Sequence, residues 1–390
     1  MNSIINKMII PLANRLKQVE DYYFVKKLEE IKKLTDSGKD IISFGIGSPD
    51  MAPSQNTVQA LIESARNSKS HGYQPYRGLP ELRKGIADFY QDTYKVTLNP
   101  ANQILPLLGS KEGILHISMA FLNPGDKVLV PDPGYPTYTS VSNLVSAEIV
   151  TYDLTEDTGW YPDLEKLGKT DLSQVRLMWI NYPHMPTGAK ANYDKFAELV
   201  AFAKQHYILL CHDNPYSLVL NDEKPLSILS VPGAMEVAIE LNSLSKSFNM
   251  AGWRVGMVVG REDYLGAILR VKSNVDSGMF LPVQLASIEA LKNEEEWHDA
   301  RNQEYFERRK LIFQFFEKLG FTYDPKQMGL FVWAKAPDHI IDVPAYADTL
   351  LYDKNIFVTP GIIFGKNGSR YLRASLCVSQ ERARLALDRL

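Results

Sequence analysis

Lys246 stands in the string Ser243-Leu-Ser-Lys246-Ser-Phe-Asn-Met-Ala-Gly252-Trp-Arg254-Val-Gly256, where small and polar residues surround one amine. A guanidinium, Arg254, follows eight positions later. A lysine amine loses its proton near neutral pH when it is desolvated or lies close to other positive charge, and it is then a nucleophile or a base. The string comes directly after a predicted strand, 236–242, so the lysine can be bent into a cleft at a strand end. Taken alone it reads as a solvated surface lysine, the usual fate of that residue. The intact Ser-x-x-Lys-x7-Arg spacing changes the balance, and two further segments are read beside it. Leu108-Gly109-Ser110-Lys111-Glu112-Gly113 opens a predicted helix, 111–121. Gly109 permits a tight turn there, and the N–H groups of Ser110 and Lys111 can point at an anion. A plain helix start capped by Ser110 is the alternative. Asp213-Asn-Pro-Tyr216 follows the predicted strand 207–211. That places a carboxylate at the C-terminal edge of a sheet, where ligands gather in open α/β proteins, although the same residues also spell a turn.

The elements that must carry these groups alternate. Segments rich in β-branched and aromatic residues, 127–130, 148–152, 176–181, 207–211, 236–242 and 254–259, read as strands. Helical patterns cover 16–34, 111–121, 193–204, 262–272 and 282–292, and a long charged helix spans 294–319. Such alternation is the mark of parallel βαβ units. Beyond the long helix the texture changes, and 331–333, 356–359 and 371–377 read as short strands with helices between and after. We infer a large α/β domain over 51–285 and a smaller α+β domain over 286–390, with the N-terminal segment 1–50 packing on the smaller one.

The chain has 390 residues, enough for two or three domains. Its 43 Lys and Arg against 46 Asp and Glu leave a net charge of −3, which gives no general attraction to nucleic acid or anionic membrane. Two cysteines, Cys211 and Cys377, cannot form a disulfide framework and point to a reducing, cytoplasmic compartment. No run approaches the length of a membrane span, and Met8–Ala13 is short for a signal segment. Weaker motifs are set aside. Gly45-Ile46-Gly47 lacks the third glycine of a dinucleotide fingerprint, having Asp50 there, and Gly361 to Lys366 is one residue short of a P-loop. Ser243-x-x-Lys246 has none of the companion motifs of penicillin-recognising enzymes. His206 and His212 do not have the spacing of a zinc site, and no metal is expected.

The stretch around Lys246 resembles the cofactor-lysine motif of the class I/II pyridoxal-phosphate aminotransferases, of which aspartate aminotransferase is a member. Matching segments recur in order from Gly47 to Arg373. The resemblance implies fold type I of pyridoxal-phosphate enzymes, with a mainly parallel seven-stranded sheet wrapped by helices. It makes Lys246 the residue that holds the pyridoxal 5'-phosphate aldehyde as a Schiff base and later moves the substrate's α-proton. It assigns the phosphate to Ser243, Arg254 and the Gly109-Ser110-Lys111 turn, the ring nitrogen to Asp213, the phenolic oxygen to Tyr216 and the ring face to Tyr135 of Pro133-Gly-Tyr135. Tyr73, in Tyr73-Gln-Pro-Tyr-Arg-Gly78, is implied to reach the phosphate of the other subunit, hence a homodimer with shared sites. Arg373 in Tyr371-Leu-Arg373 is implied to bind the substrate α-carboxylate, with Arg370 as the competing candidate and Gly47 beside it.

One departure stands out. The family pattern Asn-Pro-Thr-Gly is here Met185-Pro186-Thr187-Gly188. A thioether cannot donate a hydrogen bond to the phenolic oxygen. The oxygen then relies on Tyr216, with Asn181 and His184 as possible substitutes, and the Schiff-base proton should be held more tightly. The expected activity is transfer of an amino group from an L-amino acid to a 2-oxo acid. β-Elimination of sulfur amino acids on the same scaffold is the alternative, followed by a non-catalytic regulatory member and a cofactor-free binding module. Residues 273–284 contain no arginine, which disfavours acidic substrate side chains. Residues 272–278 resemble diaminopimelate-type enzymes, while Met279, Phe280 and Tyr22 or Tyr23 are candidates for an apolar substrate pocket.

Overall fold

The computed structural model describes residues 9–19 and 23–390. Its strands, in chain order, are β1 (Ile42–Ser43), β2 (Ile104–Leu107), β3 (Lys127–Asp132), β4 (Glu148–Asp153), β5 (Val175–Asn181), β6 (Leu209–Asp213), β7 (Ala238–Ser243) and β8 (Gly256–Gly260). β9 (Thr322–Tyr323), β10 (Phe331–Lys335), β11 (Ile356–Phe357), β12 (Thr359–Pro360) and β13 (Tyr371–Ser375) follow. β2 to β8 form one seven-stranded sheet in the order β2-β8-β7-β6-β5-β3-β4. Pairing is parallel from β7 through β4, and only β8 runs antiparallel to both its neighbours.

The middle strands are near-continuous apolar runs because helices cover both faces. Along β5, Met178 and Ile180 enter one buried cluster with Leu210 and Phe196, while Leu177 and Trp179 enter another with Ile117, Val128 and Leu241. This is the period-two alternation of a strand placed between two helical layers. The parallel run also aligns its strand ends. Asn181 pairs with Asp213 in register, and Asp213 with Leu241, so the C-terminal tips of β5, β6 and β7 open on one edge.

A second, antiparallel sheet runs β12-β13-β10-β9, with Trp333 opposite Arg373. β1 pairs in parallel with β11. Phe24, Ile42 and Phe44 share one apolar cluster with Phe315, Phe316, Leu330 and Leu372. The long helix Glu295–Lys318 enters this cluster through Tyr305, Ile312, Phe315 and Phe316. Among the described residues no helix is long and apolar enough to cross a membrane.

Two expectations are corrected, and several elements were not foreseen. The helix expected over 16–34 is not continuous. A short 3-10 turn, Asn14–Gln18, ends at an extended Val19, and the α-helix spans Tyr23–Asp36. The strand expected over 356–359 is two strands in different sheets, β11 and β12, with Val358 between them. β2 was not foreseen, because Pro106 lies inside it. As an edge strand it can spare that donor. Helices Gln55–Arg66, Pro80–Tyr94 and Pro136–Leu144 were likewise not foreseen.

Candidate active site

A cavity of about 560 Å³ lies at the C-terminal tips of β5, β6 and β7 and reaches the small sheet. Its walls include Gly47, Ser110, Lys111, Tyr135, Asp213, Tyr216, Ser243, Lys246, Arg254 and Arg373 from the sequence reading. Gly109 stands behind that wall and Tyr73 is not part of it.

Asp213 is the last residue of β6 and is buried. Its Oδ2 accepts a hydrogen bond of 2.9 Å from the Tyr138 hydroxyl. Its Oδ1 has no hydrogen-bond partner among the described residues. Burial pushes the carboxyl up to about 6, against the Tyr138 hydrogen bond, which acts downward. An orphaned, buried carboxylate oxygen facing a cavity is the acceptor that a protonated ring nitrogen requires.

Lys246 lies in the short helix Leu244–Ser247, started by the Ser243 side chain, which accepts from the Ser245 N–H at 3.1 Å. The amine donates to the Gly47 carbonyl. Burial, then the nearby guanidiniums of Arg373 and Arg254, lower its pKa. The lysine is thus biased toward the neutral amine.

The anion cradle is built by Gly109 at the N-terminus of helix Ser110–Phe121. Gly109 adopts φ +93°, and a Cβ there would meet Arg254 Nη2 at 2.1 Å. Glycine therefore lets the guanidinium lie against the helix start, so that backbone N–H groups and Arg254 address one point. Burial and then Arg254 lower the pKa of Lys111. These donors fit a phosphate, and the cavity as a whole fits pyridoxal 5'-phosphate.

Arg373, on β13, is buried. It donates to the Gly45 carbonyl at 2.7 Å and lies 3.5 Å from the Met185 sulfur. Its guanidinium stacks 4.0 Å from the Phe331 ring centroid and 4.5 Å from that of Phe364. Arg370 is spent on backbone carbonyls of Ile340, Ala336 and Pro337 and does not line the cavity. Gly47 has a local steric reason to be bare. A Cβ there would meet Phe331 Cζ at 2.2 Å, so its bareness admits the ring that supports Arg373.

Met185 lines the cavity and is 6% exposed. Of the two substitutes named for it, Asn181 lines the cavity beside Met185 and His184 does not. Asn181 gives its amide N–H to the Asp213 carbonyl at 2.5 Å and accepts the Met185 N–H at 2.8 Å. His184 pairs with the Thr187 hydroxyl at 2.8 Å, and burial pushes its pKa down to about 3. Of the apolar candidates, Tyr22 lies outside the described residues. Met279 is packed in the large core, and Phe280 sits beside His71, so neither lines this chain's cavity. Phe24 and Leu28 do so in place of Tyr23, because that helix face points inward. Tyr73 is 93% exposed. Sequence reasoning missed Tyr138 and Phe331. Tyr138 was findable, since it follows Tyr135 by three positions on a helix that starts at Pro136.

Comparison with known proteins agrees with this geometry. The model of class I and II aminotransferases matches residues 39–390. The chain is 42% identical to the LL-diaminopimelate aminotransferase of Natranaerobius thermophilus, covering 97% of this chain and 98% of that one. It is 40% identical to the enzyme of that name from Moorella thermoacetica, covering 97% of each. Among solved structures, apo BacF from Bacillus subtilis superposes with a TM-score of 0.94 at 38% identity, covering 98% of both chains.

Proposed function

The chain belongs to the class I and II aminotransferases, which are pyridoxal-phosphate-dependent transferases, and we propose that its cavity residues divide that chemistry as follows. Bound pyridoxal phosphate supplies an electron sink for the carbanion formed when an amino acid loses its α-proton. Lys246 provides the amine that holds the aldehyde and, once free, the base that carries the α-proton, and its lowered pKa supports both roles. Asp213 keeps the ring nitrogen protonated through the orphaned Oδ1, while Tyr138 orients the carboxylate from the other oxygen. Gly109, Ser110, Lys111, Ser243 and Arg254 take the phosphate, Tyr135 the ring face and Tyr216 the phenolic oxygen. Arg373 takes the substrate α-carboxylate, and Gly47 contributes through its carbonyl contact with Lys246. The observation that carries the reading is the convergence of Lys246, the unsatisfied Asp213 oxygen and the Gly109–Arg254 cradle on one cavity.

The exposure of Tyr73, away from its own chain's cavity, supports a role in the site of a second copy, and we propose a homodimer. We place the enzyme in the cytoplasm, a reading supported by two free cysteines, Cys211 and Cys377. The β1–β11 pairing and the apolar cluster around Phe44 support grouping 1–50 with 286–390 apart from 51–285.

For the amino donor we propose a long-chain L-amino acid of the diaminopimelate kind, supported by the names of the relatives at 38–42% identity. A second reading, an apolar or aromatic donor, is favoured by Phe24, Leu28 and Phe331 in the cavity wall. A panel of LL-diaminopimelate, methionine, phenylalanine and aspartate with 2-oxoglutarate or pyruvate, ranked by kcat/KM, tests both. We expect diaminopimelate to exceed aspartate by at least about tenfold. Preference for phenylalanine selects the second reading, and preference for aspartate defeats both.

A further inference from the structure

The helix Glu295–Lys318 buries two arginines on one face. Arg301 and Arg308 are seven residues apart, about 10 Å along the axis, with Tyr305 between them on the same stripe. Each is 4% exposed. They do not pack alike. Arg301 donates to the Ser247 carbonyl and the Leu218 carbonyl, with Asn302 Oδ1 at 3.0 Å and His298 Nδ1 at 3.2 Å. Among the described residues no carboxylate forms an ion pair with it, and burial pushes its guanidinium down to about 10. A buried cation without a counter-ion is costly, so it is kept where its fork geometry is needed. Here the fork joins two segments. Ser247 directly follows Lys246, and Leu218 stands two residues after Tyr216. Asn302 reinforces the second hold by donating to Leu218 O at 3.2 Å and accepting from Leu220 N at 3.2 Å.

Arg308 grips the opposite half of the cavity. Its Nη1 reaches Asp50 Oδ1 at 2.6 Å and the Leu376 carbonyl at 3.1 Å, and its Nε reaches Glu304 at 2.8 Å. Asp50 ends the Gly45–Asp50 segment, whose Gly45 carbonyl accepts from Arg373. Leu376 follows β13, which carries Arg373.

We infer that Arg301 and Arg308 are positioning residues that use the rigid helix between them to fix the distance from the Lys246–Tyr216 half of the site to the Arg373 half. The inference rests on the roles proposed above for Lys246 and Arg373. It assigns the two arginines separable effects. Loosening Arg301 moves the lysine and the tyrosine while leaving Arg373 in place. Loosening Arg308 does the reverse.

The test uses the holoenzyme and Arg301→Lys, Arg308→Lys and Asn302→Ala variants. Two readouts do not depend on turnover: the pH midpoint of the visible band of bound pyridoxal phosphate, and the dissociation constant of L-2-hydroxyhexanoate, which carries an α-carboxylate and no amine. Arg301→Lys shifts the midpoint by at least about half a pH unit and slows the first half-reaction about tenfold, with hydroxy-acid binding within about twofold. Arg308→Lys weakens the hydroxy acid by about fivefold or more and shifts the midpoint by less than half as much as Arg301→Lys does, because Arg373 is itself one of the charges near Lys246. Should Arg301→Lys not fold, Asn302→Ala gives the same midpoint shift at smaller size. Unchanged readouts in folded variants, or equal effects of the two arginine variants on both readouts, overturn the inference. A wild-type band that survives Lys246→Ala contradicts the role of Lys246 itself, which is a different failure.

Discussion

Met185→Asn restores an amide donor where the family pattern has one and this chain has a thioether. The amide Oδ1 and Nδ2 stand the same number of bonds from Cα as the methionine sulfur. The backbone of residue 185 is fixed independently by its N–H bond to Asn181 Oδ1 at 2.8 Å. The carbonyl oxygen can therefore take the sulfur's place 3.5 Å from Arg373 Nη1, which leaves the NH₂ group as a donor toward the cavity beside Tyr216. A hydrogen bond to a charged acceptor is worth about 1.5–3 kcal/mol. The phenolic oxygen of the cofactor carries most charge when the lysine–cofactor linkage has lost its proton, so the new donor stabilises the deprotonated form. At 1.36 kcal/mol per pKa unit the midpoint falls by about one to two units. Titrating the visible absorption band of the variant against wild type reads this directly. A midpoint that is unchanged or raised refutes the reasoning that the thioether leaves the oxygen short of a donor.

Asp213 gives a pH signature in stability. Its folded pKa of about 6 stands above the ordinary aspartate value of 3.8, so the cofactor-free protein loses stability as pH rises through that window, by about 3 kcal/mol. Cationic cofactor offsets that loss, so the Tm gap between holo and apo protein widens from pH 5 to 8 in wild type, and Asp213→Asn removes the widening. Tyr138→Phe, which deletes the 2.9 Å hydrogen bond to Asp213, lowers kcat about tenfold while leaving the Tm within a few degrees of wild type. Gly109→Ala places a Cβ against the Arg254 guanidinium at a left-handed φ, and equilibrium dialysis should show pyridoxal-phosphate affinity reduced by about a hundredfold. Tyr73→Phe weakens cofactor binding only if a second copy supplies it, so mixing inactive Tyr73→Ala and Lys246→Ala chains restores part of the activity.

The residues proposed to do the chemistry were legible because each has few substitutes. A lysine, a guanidinium eight positions on, a glycine before a helix and a carboxylate at a strand end leave a readable spacing, and all four come to one cavity or its rear wall, while Tyr73 does not. The parallel strands were legible for a related reason, since burial on both faces makes β5 and β6 apolar runs. What escaped was set by tertiary context. β2 reads poorly because Pro106 counts against a strand until the edge position is known. The split between β11 and β12 is decided by pairing partners far away, Ile42 and Arg373. Phe331 and Arg301 look like ordinary packing residues in sequence, because their partners are an arginine on another strand and two backbone carbonyls. Met279 and Phe280 do not line this chain's own cavity, since Met279 packs in the large core and Phe280 lies beside His71, close to the Tyr73 segment.

The proposed chemistry depends on one covalent partner for the cofactor, Lys246. Reducing the holoenzyme with borohydride, digesting it and locating the pyridoxyl group by peptide mass spectrometry tests that dependence directly. The group is predicted on the peptide that contains Lys246. Recovery of the label on Lys111 or any other lysine, or of no label at all, contradicts the central claim.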